Sequence, residues 1–198
     1  MLRNLGLTLM LLVSLTLGAP SLDAISFQPK TFDELAGEAE QIFIGTVRDA
    51  TSRRTDKGPI VTDYMFGDLE VIKGGAPEPH ASITMLGGTV GNESMTIAGA
   101  PAFVIGVRYL VFVAGNGSVM FPVVGGHQGI FQVRRDPQTG GSNVYDYGGR
   151  PIIGLPASKS ALSNRDVESR PSGGGSSAPP TAVSTEAFVR AIRRALER

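Results

Sequence analysis

Residues 60–72 read IVTDYMFGDLEVI, and this stretch decides which fold class the sequence favours. Its second half alternates acidic residues, Asp68 and Glu70, with apolar ones. That period of two is typical of a β-strand with one buried face. Gly67 precedes the alternation, where a bulge or sharp bend is expected to fall. The stretch therefore predicts a long, bent strand.

Further extended segments flank this strand and are separated by turns rich in glycine and proline. They cover residues 42–47, 82–85, 109–113, 119–124 and 130–133, and a hairpin is predicted over residues 134–146. This number and spacing of strands is typical of a β-barrel or a sandwich. Because one strand is long and bent, we predict a mainly β fold that forms a small closed or partly open barrel.

Two helices are predicted, one on each side of the strands. Thr31 and Glu34 form a Thr-x-x-Glu capping box that marks the start of a short helix. Residues 184–198 carry an apolar stripe with helical spacing, behind a capping Ser184, and arginines crowd the last turns. This amphipathic helix either docks on the core or binds a partner or a membrane surface.

The first 24 residues have the features of an export signal. Arg3 is followed by an apolar run over residues 5–17 and by small residues up to Ala24. The run is too short to span a bilayer, which takes about 20 apolar residues. We expect cleavage after Ala24, with Ala19 as second choice, and an uncleaved anchor is the alternative.

Composition shifts then predict the domain organisation. Residues 25–168 are predicted to form the β-barrel domain, residues 169–183 a linker rich in glycine, serine and proline, and residues 184–198 the C-terminal helix. Once the signal is removed, no membrane span is expected. The predicted location is the bacterial periplasm or the cell exterior.

Charge and cysteine content exclude several classes of function. The 18 Lys and Arg residues balance 18 Asp and Glu residues, so the broad basic face that nucleic acid or an anionic membrane requires is not expected. The chain has no Cys, which excludes disulfides, thiolate metal ligands and thiol nucleophiles. Small secreted domains often depend on disulfides, so this domain must be held by its core.

The motifs of common enzymes are missing from the sequence. It contains no Gly-x-Ser-x-Gly, no His-Glu-x-x-His and no phosphate-binding loop. Of its two histidines, His80 is expected to be exposed in a proline-rich turn, and His127 lies in a glycine-rich segment. We therefore predict no catalytic residues, no metal site and no cofactor. An unrecognised hydrolase that depends on His127 is left as an alternative.

Clustered glycines are the remaining signal for function. They either form turns and barrel corners, or belong to loops that share one rim and form a binding edge. Phe103 could equally be a core residue. The candidate binding residues are Gly87, Gly88, Gly91, Pro101, Phe103, Gly125, Gly126, His127, Gln128 and Gly129.

Several of these stretches resemble a family of exported, uncharacterised bacterial proteins. The resemblance rests on AEQIFIGTV at 39–47, a segment ending EVIKG at 70–74, GVRYLVF at 106–112 and VVGGHQGIF at 123–131. Three of these segments, ending IGTV at 44–47, VIKG at 71–74 and GVRYLVF at 106–112, are also similar to netrin-like modules, which include the tissue inhibitors of metalloproteinases. That resemblance implies a β-barrel of the oligonucleotide/oligosaccharide-binding (OB) type. Those inhibitors chelate zinc through an N-terminal Cys, which this chain lacks, so the resemblance implies fold more than activity.

The expected function is that of an exported, non-catalytic binding module that engages another exported protein through its glycine-rich loops. An inhibitor or accessory partner of a secreted protease is one concrete version. The alternative is a structural or assembly component of the cell envelope, in which the C-terminal helix docks a partner.

Overall fold

The computed structural model describes residues 27–75, 79–155 and 182–198, so the predicted export signal and most of the predicted linker lie outside the described residues. Its helices are α1 (Phe32–Glu38) and α2 (Thr185–Leu196), with a 3₁₀ turn at Gly126–Gly129. Its strands are β1 (Gln41–Arg54), β2 (Ile60–Lys73), β3 (Ala81–Leu86), β4 (Gly88–Val90), β5 (Glu93–Met95), β6 (Arg108–Val113), β7 (Ile130–Arg135) and β8 (Ser142–Tyr145).

The fold is mainly β with one helix near each end of the described chain, as the sequence predicted. Six strands form an antiparallel sheet in the order β3-β2-β1-β6-β7-β8, and β4 and β5 form a separate hairpin. Among the described residues the edge strands β3 and β8 do not pair with each other. The predicted closed barrel is therefore not formed by these strands.

The strand predicted over residues 119–124 is wrong, because this segment is a loop. Only Val123 makes a bridge, to Val113 of β6. Met120 reaches the outer edge of β3, where its carbonyl oxygen accepts from the Leu86 N–H at 3.0 Å. The Asn116 side chain adds two bonds to this edge, accepting from the Thr84 N–H at 3.1 Å and donating to the Ser82 carbonyl at 2.6 Å. These bonds cover the edge of β3 without a backbone ladder.

The long strands β1 and β2 bend where the sequence predicted a bulge. Their register shifts between Ile44 and Thr46, opposite Glu70 and Gly67, so that β2 carries an extra residue. Asp68, in that bulge, has a φ of 52°. Asp is one of the few non-glycine residues that adopt this left-handed conformation at single positions.

The sheet buries apolar side chains on both of its faces. One face packs against α1 and α2, with Ile42, Ile44 and Phe112 among its core residues. The other face encloses a second cluster, in which Phe43 and Val47 from the same strand β1 take part. Because neighbouring β1 residues point to opposite faces, this one strand connects the two cores.

Helix α1 begins at the predicted capping box. The Thr31 hydroxyl accepts from the Glu34 N–H at 3.2 Å, and the Glu34 carboxylate accepts from the Thr31 N–H at 2.7 Å. At its other end, the Lys73 ammonium donates to the carbonyl oxygens of Ala36 and Gly37. The negative end of the helix dipole also stabilises a cation at this position.

Helix α2 docks on the core of its own chain. Phe188 and Ile192 are fully buried, and the Phe188 ring lies 5.4 Å from Phe32 and 4.9 Å from Phe131, centroid to centroid. Ser184 caps the helix through the Ala187 N–H, as predicted. The apolar face of α2 is thus occupied within the chain. No helix of the described residues is long and apolar enough to cross a membrane.

We expect Phe188→Ala to lower the free energy of unfolding by about 3–5 kcal/mol, because it leaves a cavity where three phenylalanine rings meet. Urea denaturation measures this loss. Arg193→Ala, on the exposed side of the same helix, is the control and is expected to change stability by no more than about 0.5 kcal/mol. Equal effects would show that α2 is not part of the core.

Candidate functional site

The first predicted loop, Gly87 to Gly91, belongs to the β4–β5 hairpin. The Gly87 carbonyl accepts from the Thr62 hydroxyl at 2.7 Å. A Cβ at Gly88 would come within 2.4 Å of the hydroxyl oxygens of Ser52 and Thr62, and Gly88 also has a φ of 135°. These glycines therefore have a structural reason to be glycine, and their role in binding stays a prediction.

The predicted segment Gly125 to Gly129 lies against the chain just before α1. The Gln128 side chain accepts from the Lys30 N–H at 2.8 Å and donates to the Gln28 carbonyl at 2.9 Å. A Cβ at Gly126 would lie 2.5 Å from the ring of Phe27. Gln128 thus ties this segment to the start of the described chain.

The predicted residues Pro101 and Phe103 are buried. Phe103 is only 6% exposed, and its ring packs edge-on against the rings of Tyr64, Phe66 and Tyr109 at 5.1–5.2 Å. Its placement agrees with the core alternative. The Phe103 side chain anchors the loop that carries it and is not offered to a partner.

Tyr147 brings two of the three predicted loops together. Its ring lies 4.4 Å from the ring of His127. Its hydroxyl accepts from the Ala102 N–H at 3.0 Å and lies 3.2 Å from the Ala102 carbonyl oxygen. The loops around Phe103 and His127 are therefore neighbours, whereas the contacts of the Gly87–Gly91 hairpin described above are with β1 and β2.

A second tyrosine hydroxyl holds the same loop. The Val104 N–H donates to the Tyr109 hydroxyl at 3.3 Å. Burial raises the pKa of Tyr109, so its hydroxyl stays protonated at neutral pH. We call residues 97–107 the tyrosine-anchored loop, because Tyr109 and Tyr147 bond to its backbone.

The tyrosine-anchored loop ends in a tight turn. The Val107 N–H donates to the Val104 carbonyl at 3.1 Å, and the Gly106 N–H donates to the Val47 carbonyl of β1 at 2.8 Å. Gly106 has a φ of 85°, as the third residue of a type II turn requires. The turn is thus fastened both to itself and to the sheet.

This turn presents two adjacent apolar side chains to solvent. Val104 is 60% exposed and Ile105 is 58% exposed, and we call this pair the apolar tip. From Ile97 to Val107 the sequence has no polar side chain. Contiguous apolar side chains on a surface are a feature of interaction sites, and Val119 and Met120 form a second exposed pair, at 51% and 64%. Sequence reasoning missed the tip, although the run of uncharged residues was visible.

Two arginines follow residues that hold this turn, Arg48 after Val47 and Arg108 after Val107, and both bond to other residues. Arg48 forms an ion pair with the carboxylate of Asp68. Arg108 donates to the Asp68 carbonyl at 3.0 Å and to the Thr46 hydroxyl at 3.4 Å. Both side chains therefore bond to the bulge of β2, Arg48 through the Asp68 carboxylate and Arg108 through neutral oxygen atoms.

A small cleft lies between α1 and α2. Its volume of about 130 Å³ has room for only a few water molecules of roughly 30 Å³ each. One carboxylate oxygen of Asp33 is buried without a hydrogen-bond partner among the described residues, and the other bonds to Arg198 at 3.2 Å. The cleft is lined by Phe32, Asp33, Leu155, Ala191, Arg194, Ala195 and Arg198.

Comparisons with known proteins do not add a family to this geometry. The chain matches no protein-family model, no curated protein and no solved structure. Within the described ranges, no group of three or more His, Asp or Glu side chains is placed to hold a metal ion.

We expect Tyr147→Phe to loosen the loop while keeping the ring that packs on His127. Loss of the hydroxyl removes its bonds to Ala102, at a cost of about 1 kcal/mol. Hydrogen exchange at the Ala102 amide should become about fivefold faster. Tyr145→Phe is the control, because that ring lies under the Arg134 guanidinium at 4.4 Å. Unchanged exchange in Tyr147→Phe would contradict the anchoring role.

We expect His127 to make stability depend on pH. Burial lowers the pKa of His127 in the folded state, so the unfolded chain binds a proton more readily. The free energy of unfolding should therefore fall as the pH drops from about 7 to about 5. Urea titrations at both pH values should show a smaller decrease in His127→Asn. The control His80→Asn changes an exposed histidine and should behave like the wild type.

Proposed function

We propose that this chain is a non-catalytic binding module that engages another exported protein through its apolar tip. The single observation that carries this proposal is the exposure of Val104 and Ile105, at 60% and 58%, on a loop anchored by hydrogen bonds. The specific role that we propose is that of an inhibitor or accessory partner of a secreted protease.

Anchoring of the loop supports binding for an energetic reason. Flexible loops lose conformational freedom when a partner binds, and this loss weakens affinity. Here Ala102 and Val104 are already held by tyrosine hydroxyls, and Gly106 by the backbone of Val47. The free protein therefore presents the tip close to its bound conformation, and most of the gain from burying the tip is kept.

We also propose that the open sheet is related to the OB-type barrel that the netrin-like resemblance implies. The Met120 carbonyl bonds to the edge of β3, and Val123 bridges to β6. These contacts connect the two ends of the curved part of the sheet through the 115–123 loop. Export to the periplasm or cell exterior remains part of the proposal and rests on the signal-like first 24 residues.

The alternatives have weaker support. For a hydrolase that uses His127, the described contacts of its ring are the aromatic rings of Phe27 and Tyr147, and neither is a nucleophile partner. For an envelope component that docks through its C-terminal helix, the apolar face of α2 would first have to leave Phe32 and Phe131. We therefore place the binding role at the tip.

The test is a double substitution at the tip. In the chain without its first 24 residues, Val104→Ser with Ile105→Ser should weaken partner binding at least about tenfold. A fully buried apolar side chain of this size contributes roughly 1.5–3 kcal/mol. The measurement is capture from the exported fraction of the source bacterium, identification of the protein captured, and titration of that purified protein.

The 115–120 loop offers a matched control. Val119 and Met120 are exposed to 51% and 64%, also as neighbours on a loop. Val119→Ser with Met120→Ser should bind the partner like the wild type. If this control lost binding while the tip variant kept it, the binding surface would lie on the 115–120 loop and the proposal for the tip would be refuted. If both variants bound normally, the proposed role of exposed apolar loops would be refuted.

A further inference from the structure

We infer that the partner receives the apolar tip in an uncharged pocket, and that the tip binds as a closed turn and not as an extended strand. This inference rests on the proposed function and deepens it, because it specifies the chemistry of the partner. A protease could bind the loop as a strand inserted in its substrate cleft, or receive the tip in an apolar pocket. The inference predicts the second kind of partner.

The backbone of the loop is the first ground for this inference. A strand added to a partner needs free N–H and C=O groups along an extended segment. At the tip, the Val107 N–H is bonded to the Val104 carbonyl and the Gly106 N–H to the Val47 carbonyl. Ile105 and Gly106 form the corner of the turn. Recognition must therefore come mainly from the side chains of Val104 and Ile105.

The small size of the tip is the second ground. A stable interface between two flat surfaces uses about 20–30 residues from each partner. The tyrosine-anchored loop has far fewer, and its large exposed side chains are Val104 and Ile105. Two side chains can carry substantial affinity only where a partner encloses and fully desolvates them. A convex tip of this size thus calls for a concave site and argues against pairing with a second copy.

Charge is the third ground, and it decides between a protein pocket and a lipid surface. Membrane-binding loops combine apolar side chains with cations that attract anionic headgroups. The Arg48 guanidinium pairs with the Asp68 carboxylate, and Arg108 donates to the Asp68 carbonyl oxygen and the Thr46 hydroxyl. Both cations are thus held on the β2 bulge, and the loop from Ile97 to Val107 itself carries no charge. The complementary surface is therefore an uncharged apolar pocket of a protein.

The decisive variant keeps both side chains and changes only the turn. Gly106 has a φ of +85°, and a Cβ there would meet no atom within 4 Å. Gly106→Ala therefore strains the turn without a clash, and we expect binding to weaken about five- to thirtyfold. Gly106→Asn, which tolerates this φ better, should recover part of the affinity. Gly117→Ala is the matched control, because Gly117 has a φ of +84° and equally open surroundings.

Three probes are used with the chain that lacks its first 24 residues. The first probe is the partner protein that the wild type captures and the tip variant does not. It is purified, and its affinity for the Gly106 and Gly117 variants is measured by titration. The second is an elastase-type endopeptidase, which accepts extended strands and cuts after small apolar residues. Mass spectrometry should find the 97–107 loop uncut. The third is vesicles of phosphatidylcholine mixed with anionic phosphatidylglycerol, to which we expect no binding that depends on the tip.

The outcomes separate this inference from the proposed function. If the tip variant loses the captured partner but Gly106→Ala binds it at full strength, the closed turn is not required and only this inference fails. If neither variant affects capture, the proposed function fails. Cleavage between Ala102 and Val107 in the folded protein would overturn the inference in favour of a strand. Vesicle binding that is lost in the tip variant would overturn it in favour of a membrane.

Discussion

The bend in the β1–β2 pair is the constraint on which the other parts of the structure depend. Both strands are 14 residues long, and their register shifts at three places. Side chains alternate along β1, so that Ile42 and Ile44 enter one core and Phe43 and Val47 the other. The first part of β1 lies between β2 and β6 and packs under both helices. Beyond the bend, Val47 holds the turn of the tyrosine-anchored loop through its backbone. Asp68 has a left-handed φ in the bulge, and Arg48 and Arg108 both bond to this residue.

The tyrosine-anchored loop has neither the ladder of a sheet nor the internal bonds of a helix. Its backbone is satisfied by side chains from other elements, Tyr109 of β6 and Tyr147 after β8. The buried ring of Phe103 fixes the middle of the loop among other aromatic rings. With its backbone satisfied, the loop can remain ordered while Val104 and Ile105 face solvent. Exposure of apolar groups on an ordered loop is costly for a free protein, and this is why we attach the proposed binding role to it.

Local features were predicted well from the sequence, and features that depend on distant neighbours were not. The Thr31–Glu34 capping box, the cap at Ser184 and the bulge after Gly67 each rest on residues a few positions apart. The strand predicted over residues 119–124 failed because an apolar run does not reveal whether a partner strand is free beside it. Glycine clusters drew attention to three loops, but the contacts that join two of them come from Tyr147, which no local motif marks.

The sequence by itself determined the mainly β class, the two helices with their caps and the bend of β2, because these follow from periodicity, capping and glycine placement over short distances. Tertiary structure alone decided that α2 completes the core, that the sheet stays open between β3 and β8, and that Phe103 is buried while Val104 and Ile105 are exposed. These outcomes depend on which side chains meet across the fold. Neighbouring apolar residues look equivalent in a sequence, and only the packing around each one decides which are removed from water.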